Sequence, residues 1–431
     1  MAQNVVSFSK FNWVGFDMDH TLVRYRLPEL YRLVYSCLSR FMVEEKSYDR
    51  SLLDPIDKNR HMMQKGVILD GVQGNFLKLA ANGYILRAYH GTRLLSGDEI
   101  ARGYGTSRIW KHHGVLRDTV KQIENHWFFD TYFSLPGIVL AARLIDVLED
   151  KTTLNWTAIW KDIVQAFVLV FDHPNFKNGV SRYFSELKRS TGDYVYPISD
   201  RLKCWLRDLK SIGVHLFLMT SSHIDYSRLL LNYSFGSGWE DIFDLIIVDA
   251  KKPGFFTDKN PFYLIDSNDD IIKDPITDLQ RGIVYAQGSE AALRKFFSRV
   301  AGVDAPSILY VGDSIRSDIF PPTKFDGWQT VAIVEEMANE NIWDLEILES
   351  NDEPPIKKQR KEEVKEDPVL ISDLWGDFLQ DEIQNDDQSE PKQCKTFWGD
   401  VLAKYSSLAV PYLDVLSQFP VDAKLAQVHS F

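Results

Sequence analysis

The sequence predicts an α/β protein, a Rossmann-like doubly wound parallel sheet carrying an inserted, mainly helical cap. Three observations predict it. The apolar runs "NWVGF", "VHLFLM", "DLIIV" and "SILYV" are short and lack polar alternation, as suits strands buried on both faces of a parallel sheet. Each run stops abruptly, at Asp17, Thr220, Asp249 and Gly312. Helix-like segments separate the later runs, and "SDRLKCWLRDLKSIG" (199–213) has Ser199 and Asp200 as cap candidates and Gly213 as a stop.

Taken in order, the first run is followed by about 200 residues before the second, far too many for a single crossover, so a domain is inserted there. Its early part, "LDGVQGNFLKLAANGYILRAYHG" (69–91), sets Gly74 with Asn75 and Asn82 with Gly83 between apolar runs, a hairpin pattern. From about 115 to 188, "LIDVLED", "NWTAIWKDIVQAFVLVF" and "VSRYFSELKRS" read as helices. The expected division is a first core segment at 1–80, the cap at 81–188 and a second core segment at 189–348. A charged, flexible linker is expected at 349–392 and a helical tail at 393–431, where "TFWGDVLAKYSSLAVPYLDVLSQF" regains apolar periodicity. Within the linker, "KKQRK" has the composition of a nuclear-import signal, although such runs are common on solvated segments.

With 431 residues the chain exceeds the size at which single cores stop growing, about 250 to 300 residues, so more than one folding unit is expected. The 45% hydrophobic content supplies material for buried cores and argues against global disorder. A net charge of -12 disfavours nucleic acid as a partner. Cys37, Cys204 and Cys394 are scattered without metal-ligand spacing, which suits a reducing, cytoplasmic setting. The N-terminal stretch has no secretion-signal pattern, and "IVQAFVLVF" is far shorter than the roughly 20 residues of a membrane span, so no membrane association is expected.

Ligands of parallel α/β sheets bind outside the carboxyl ends of the strands, so the residues that end the apolar runs should converge. They are Asp17 and Asp19; Thr220, Ser221 and Ser222; Lys251 and Lys252; and Asp313 and Asp318. Phosphoryl transfer needs an in-line nucleophile, neutralised phosphate charge and a proton for the leaving oxygen. Several carboxylates alone would repel a phosphate dianion. Magnesium, a hard oxygen-seeking cation, suits a site built from Asp17, the backbone carbonyl near Asp19, and Asp313. If 17–19 is extended, the two carboxylates point the same way, so one can attack while the other handles the proton. Thr220 and Ser221 would bind phosphoryl oxygens, and Lys251 or Lys252 would add fixed positive charge.

"DMDHTL", "LMTSS", "DAKKPGFF" and "YVGDSIRSD" occur in the order of the four motifs of the haloacid-dehalogenase-like phosphatases. More narrowly the chain resembles the cytosolic purine 5'-nucleotidases, through "DGVQGNFLKL", "LSGDEI", "FFDTYFSLPG" and "GIVYAQGS" as well, over roughly residues 11 to 345. The resemblance implies that Asp17 is the nucleophile and Asp19 the acid, then the base, which also binds the metal through its carbonyl. It implies that Thr220 binds phosphate, that Lys252, the lysine before proline, stabilises charge, that Asp313 binds magnesium and that Asp318 stands behind the ligands. A small phosphorylated substrate, nucleotide in class, and self-association follow from the same resemblance.

The family's base-reading set is mostly missing. Phe133 and Ser134 stand where an aromatic–Asn pair is expected, with Phe133 a candidate for stacking on a substrate ring or a plain core residue. Val164, Val168, Phe171 and Asp172 occupy the four places of a polar cap-helix cluster. An apolar replacement argues against the same purine preference. The alternatives are a phosphatase or phosphotransferase for a non-nucleotide metabolite, and a binding or scaffold protein that keeps the fold without turnover. Adjacent His112 and His113 point to different faces of most elements and make a poor metal site, and His215, inside an apolar run, reads as a core histidine.

Overall fold

The computed structural model describes residues 5–118, 123–149, 156–340, 342–348, 370, 372–383 and 392–427. The chain divides into two units, the first formed by Met1–Tyr25, Val195–Lys365 and Leu402–Ser430, the second by Arg26–Tyr194 with Glu366–Val401.

The first unit is built on a nine-stranded sheet. In chain order its strands are β1 (Trp13–Phe16), β2 (His215–Met219), β3 (Leu245–Val248), β4 (Phe262–Ile265), β5 (Ile271–Ile276), β6 (Val284–Gln287), β7 (Ile308–Gly312), β8 (Gln329–Ile333) and β9 (Leu408–Val410). Their order across the sheet is β5-β4-β6-β3-β2-β1-β7-β8-β9. From β6 to β9 every ladder is parallel, while β4 and β5 add an antiparallel edge. The predicted parallel α/β class is therefore present, with the four predicted runs as β1, β2, β3 and β7. Strand β1 lies between β2 and β7, where the order reverses, the position at which such sheets bind ligands.

All four residues of β1 are buried. Trp13 stacks on Phe297 at 4.1 Å, and Gly15 has no room for a side chain, since a Cβ there would lie 2.1 Å from the Phe217 ring. Helix α1 (Asp200–Ser211) begins as predicted, with the Ser199 hydroxyl accepting from the Leu202 amide. It buries Leu202, Trp205, Leu206 and Leu209, the i, i+3, i+4, i+7 stripe, and each such side chain stabilises by about 1.5 to 3 kcal/mol. Two more helices of the unit matter below, α2 (Ile224–Ser234) and α3 (Glu290–Ala301), followed by the short α4 (Phe320–Asp326).

The tail is not purely helical. Leu408–Val410 pairs in parallel with β8 as an added strand, a choice that its three residues cannot signal by periodicity.

Asp326, at the end of α4, faces Glu290 of α3, whose carboxylate is tied to Arg294 and to the Trp328 indole N–H. Burial first, then the Glu290 charge, push the Asp326 carboxyl up to about 7. A carboxyl raised in the folded state binds more protons there than in the unfolded chain, so stability falls as pH rises from about 4 to about 7. Asp326 is half-buried, and solvent screening reduces the effect to about 1 kcal/mol. We expect Asp326→Asn to unfold at higher temperature than wild type at pH 8 and at the same temperature at pH 4; an equal gain at both pH values would contradict a charge origin.

The second unit contains a five-stranded antiparallel sheet in the order Arg93–Leu94, Ile85–His90, Asn75–Leu79, Val67–Asp70, His126–Phe129, together with helices such as Leu27–Glu44, Pro136–Leu148 and Trp156–Phe171. The hairpin pattern at 69–91 is thus realised, as part of a sheet more extensive than the expected helical insert. Its start also differs from expectation. The chain leaves the first unit at Tyr25, not near residue 80, and returns at Val195. Helix Leu27–Glu44 buries Leu30, Leu33, Val34, Leu38 and Met42 as any core helix would, so its apolar face does not reveal which core it joins.

The expected linker also differs in part. Residues 349–369, with "KKQRK", lie outside the described residues, but 372–383 pack into the second unit, where Trp375 is fully buried and Phe378 nearly so. Lys78 there donates to the Trp375 carbonyl at 2.6 Å, to the Asp377 carbonyl and to Asp381 Oδ2 at 2.6 Å, while Arg87 holds Asp381 Oδ1 at 2.8 Å. Among the described residues no helix is long and apolar enough to cross a membrane.

Candidate active site

The carboxyl ends of β1, β2, β3 and β7 carry the predicted polar residues. The Asp17 N–H donates to the Val311 carbonyl at 2.8 Å, extending the β1–β7 ladder by one residue and fixing the Asp17 backbone at the strand end. The chain then turns: the Val23 amide bonds the Met18 carbonyl at 2.8 Å, and His20 adopts the left-handed conformation with φ 54°. Strand β1 ends at Phe16 and Met18 lies in a turn, so the pointing of the two carboxylates is not set by a regular strand. Asp19 Oδ1 accepts from Tyr25 at 2.6 Å and Oδ2 from Ser222 at 2.6 Å.

Thr220 follows β2 and is buried; its Oγ1 accepts from the Ser222 amide at 3.1 Å. After β3, Asp249 and Lys251 both take positive φ, 48° and 55°, unusual for residues with a Cβ and often found where a site constrains the backbone. The Lys251 ammonium pairs with Asp249 at 2.6 Å and its side chain is half exposed. The next residue turns inward: the Lys252 side chain is 3% exposed, its amide donates to Ser221 Oγ at 3.1 Å, and a cis peptide joins it to Pro253. Its Nζ lies 2.9 Å from Asp17 Oδ1, 2.6 Å from Asp318 Oδ1 and 2.8 Å from the Tyr310 hydroxyl, which in turn donates to the Met219 carbonyl at 2.7 Å. Of the two candidate lysines the structure places Lys252 in the site.

Strand β7 ends at Gly312, where any Cβ would lie 2.4 Å from that of Asp318; only glycine admits the close approach. Asp313 follows, and a single π-helical turn, Ile315–Ile319, brings Asp318 back so that its Oδ2 accepts from the Ser314 amide at 3.1 Å. Asp17, Asp313 and Asp318 are all buried, and each offers an oxygen within 4.8 Å of the others. Among the described residues this is the group compact enough to hold a metal ion.

Burial raises Asp17 well above the usual carboxylate range; Lys252 opposes this, and Asp318, Asp313 and Asp19 add to it. Burial alone would lower Lys252, but Asp17 and Asp318 outweigh it and keep the ammonium charged. Asp19 is also raised by burial, with the Ser222 and Tyr25 hydroxyls pulling it back. Three buried carboxylates thus cluster, two of them paired with the Lys252 ammonium, a grouping that could hold a divalent cation. Asp318 already gives one oxygen to Lys252 and the other to a backbone amide, so Asp17 and Asp313 are the carboxylates best suited to a cation.

The structure therefore gathers Asp17, Asp313, Asp318 and Lys252, with Asp19, Thr220 and Ser221 attached through the bonds above. Phe133 is in the second unit, packed edge-on against Phe171 with ring centres 5.6 Å apart. Tyr25 and Tyr310 were missed by sequence reasoning. Tyr310 has one signal, a hydroxyl in an otherwise apolar buried strand; Tyr25 has none.

The first unit is thus of the parallel α/β class, with a cluster of carboxylates and a buried lysine at the ends of its central strands. The chain belongs to the 5' nucleotidase family, whose model matches residues 1–398. It is 37% identical to human "5'-nucleotidase domain-containing protein 1", over 100% of this chain and 94% of that protein. Rat "5'-nucleotidase domain-containing protein 2" is 27% identical, covering 79% of this chain and 59% of that one. The crystal structure of CbbY from Rhodobacter sphaeroides in complex with phosphate is a remote likeness, 13% identical with a TM-score of 0.26, covering 75% of this chain and 86% of the other.

Proposed function

We propose that the protein is a magnesium-dependent phosphomonoesterase of the haloacid-dehalogenase type, acting through an aspartyl-phosphate on a nucleoside 5'-monophosphate or a similar small phosphate ester. The observation that carries this reading is Asp17, buried at the end of β1, paired with Lys252 at 2.9 Å and clustered with Asp313 and Asp318. Family membership supports the substrate class.

In this mechanism an Asp17 carboxylate oxygen attacks phosphorus as the bond to the leaving oxygen breaks, and Asp19 gives that oxygen its proton. Water then attacks phosphorus, Asp19 takes the proton from it, and the Asp17–phosphorus link breaks to release phosphate. Thr220 and Ser221 bind the phosphoryl oxygens. Lys252 offsets their charge in a site where buried electrostatics count strongly. Magnesium, held by Asp17, Asp313 and the Asp19 carbonyl, would neutralise phosphate charge. A cytoplasmic setting accords with three free cysteines.

One observation favours a non-nucleotide ester as the second reading. Val164 and Val168, at places where purine nucleotidases carry polar groups, are exposed by 44% and 53% and can offer a base no hydrogen bond. The test is phosphate release with and without magnesium from a panel of nucleoside monophosphates and sugar phosphates, comparing wild type with Asp17→Asn. Turnover is expected in wild type and a fall of at least about 10³-fold in the variant. Equal rates in both proteins would refute the aspartyl mechanism.

A further inference from the structure

The Asp19 carboxylate sits at the end of a chain of hydroxyl groups that the proposed reaction does not itself require. Tyr25, 1% exposed, bonds Asp19 Oδ1 at 2.6 Å, and its oxygen lies 2.9 Å from the hydroxyl of Tyr226 on α2, 8% exposed. An ionised carboxylate only accepts, so Tyr25 spends its single proton on Asp19 and Tyr226 donates to Tyr25. The 2.6 Å length is that of a charge-assisted O–H···O bond, about twice as strong as a neutral one. Oδ2 has a different partner. The Ser222 hydroxyl at 2.6 Å can donate or accept, so Oδ2 is the oxygen able to exchange a proton while Oδ1 stays an acceptor.

Tyr25 is itself held firmly. It is the last residue of the first unit before the chain leaves it, and its backbone bridges Val195, the residue at which the chain returns. The preceding carbonyl, of Arg24, accepts from the Tyr196 amide at 2.9 Å, and the Tyr25 ring packs against His20 with centres 4.6 Å apart. A rigid donor aimed at one oxygen fixes the rotation of a carboxylate that lies beyond the end of β1.

We infer that Tyr25, backed by Tyr226, is a positioning residue that locks the Asp19 carboxylate so that Oδ2 faces the leaving group. This rests on the acid–base role proposed for Asp19. General acid–base catalysis contributes about 10² to 10⁴-fold, and it matters most when the leaving group is a poor one. A loosened Asp19 should therefore slow an alkyl phosphate much more than a p-nitrophenyl phosphate, whose leaving group departs without a proton.

The test is single-turnover release of the leaving group from these two esters by wild type, Tyr25→Phe and Tyr226→Phe, with a crystal structure of Tyr25→Phe. Expected for Tyr25→Phe is a loss of about 10 to 100-fold on the alkyl ester, less than about threefold on the p-nitrophenyl ester, and an unchanged KM. Tyr226→Phe, whose lost group lies one step further away, shows the same pattern at about a third of the effect or less. In the crystal, the Asp19 carboxylate is rotated or split between conformers, with the rest of the site in place. Equal losses on both esters, or none, overturn the inference, and so does an Asp19 carboxylate left where it is now. Absence of any Asp17-dependent turnover in wild type would sink the proposed function instead, and the crystal structure would still decide the positioning role.

Discussion

Lys252→Met is expected to lose about 3 to 5 kcal/mol of stability without divalent cation, and about 10² to 10³-fold in any Asp17-dependent phosphate release. The Lys252 ammonium pairs with Asp17 and Asp318, and its side chain is 3% exposed. Methionine fills much the same volume, so the loss isolates charge from packing. With the ammonium gone, Asp17 and Asp318 are buried carboxylates lacking the partner that now lies 2.9 and 2.6 Å from them. Breaking a buried pair costs this much because the remaining charge cannot return to water. Denaturant unfolding of Lys252→Met and of the double variant Lys252→Met/Asp318→Asn checks the argument. The double variant should recover more than half of the loss, since it removes one uncompensated charge. A double variant no more stable than the single one would show that packing around the lysine, not charge, was lost.

The second large effect is expected in the other unit, where Lys78→Met should cost about 3 kcal/mol and loosen the segment 372–383. Lys78 bonds two backbone carbonyls of that segment and Asp381, so its loss removes a charge-assisted bond from all three acceptors. Arg87 stays on Asp381, which keeps the cost at the lower end of the range for a broken buried pair. The readout is amide hydrogen exchange. Protection should fall in 372–383, which also rests on the Trp375 indole bond to the Met62 carbonyl, and stay unchanged in β9, which belongs to the other unit. Unaltered protection in 372–383 would mean that burial of Trp375 and Phe378 suffices to hold the segment.

The order of motifs in the sequence was enough to predict that these residues share one edge of the sheet, because strand ends in a parallel sheet converge whatever lies between them. Asp17, Lys252, Asp313 and Asp318 meet although 301 positions separate the first from the last. Thr220 and Ser221 stand where the end of β2 should place them. The residues that escaped notice act from outside the motifs. Tyr25 lies beyond the DxD turn, and nothing in "RYRLPEL" marks its hydroxyl as aimed at Asp19 rather than at solvent.

The sequence by itself determined the parallel α/β class, the four strands that carry the site and the helix-capping detail at Ser199, since each depends on local pattern and on short-range hydrogen bonding. The tertiary structure alone decided which unit each apolar segment joins. Helix Leu27–Glu44, the buried stretch around Trp375 and the three-residue strand β9 all satisfy the same demand to bury apolar surface. Hydrophobic burial has no direction, so a sequence can show that such a face must be covered without showing what covers it. The rotation of the Asp19 carboxylate is of the same kind: its two hydroxyl partners come from a later turn of the chain and from the end of another strand, and only folding brings them to it.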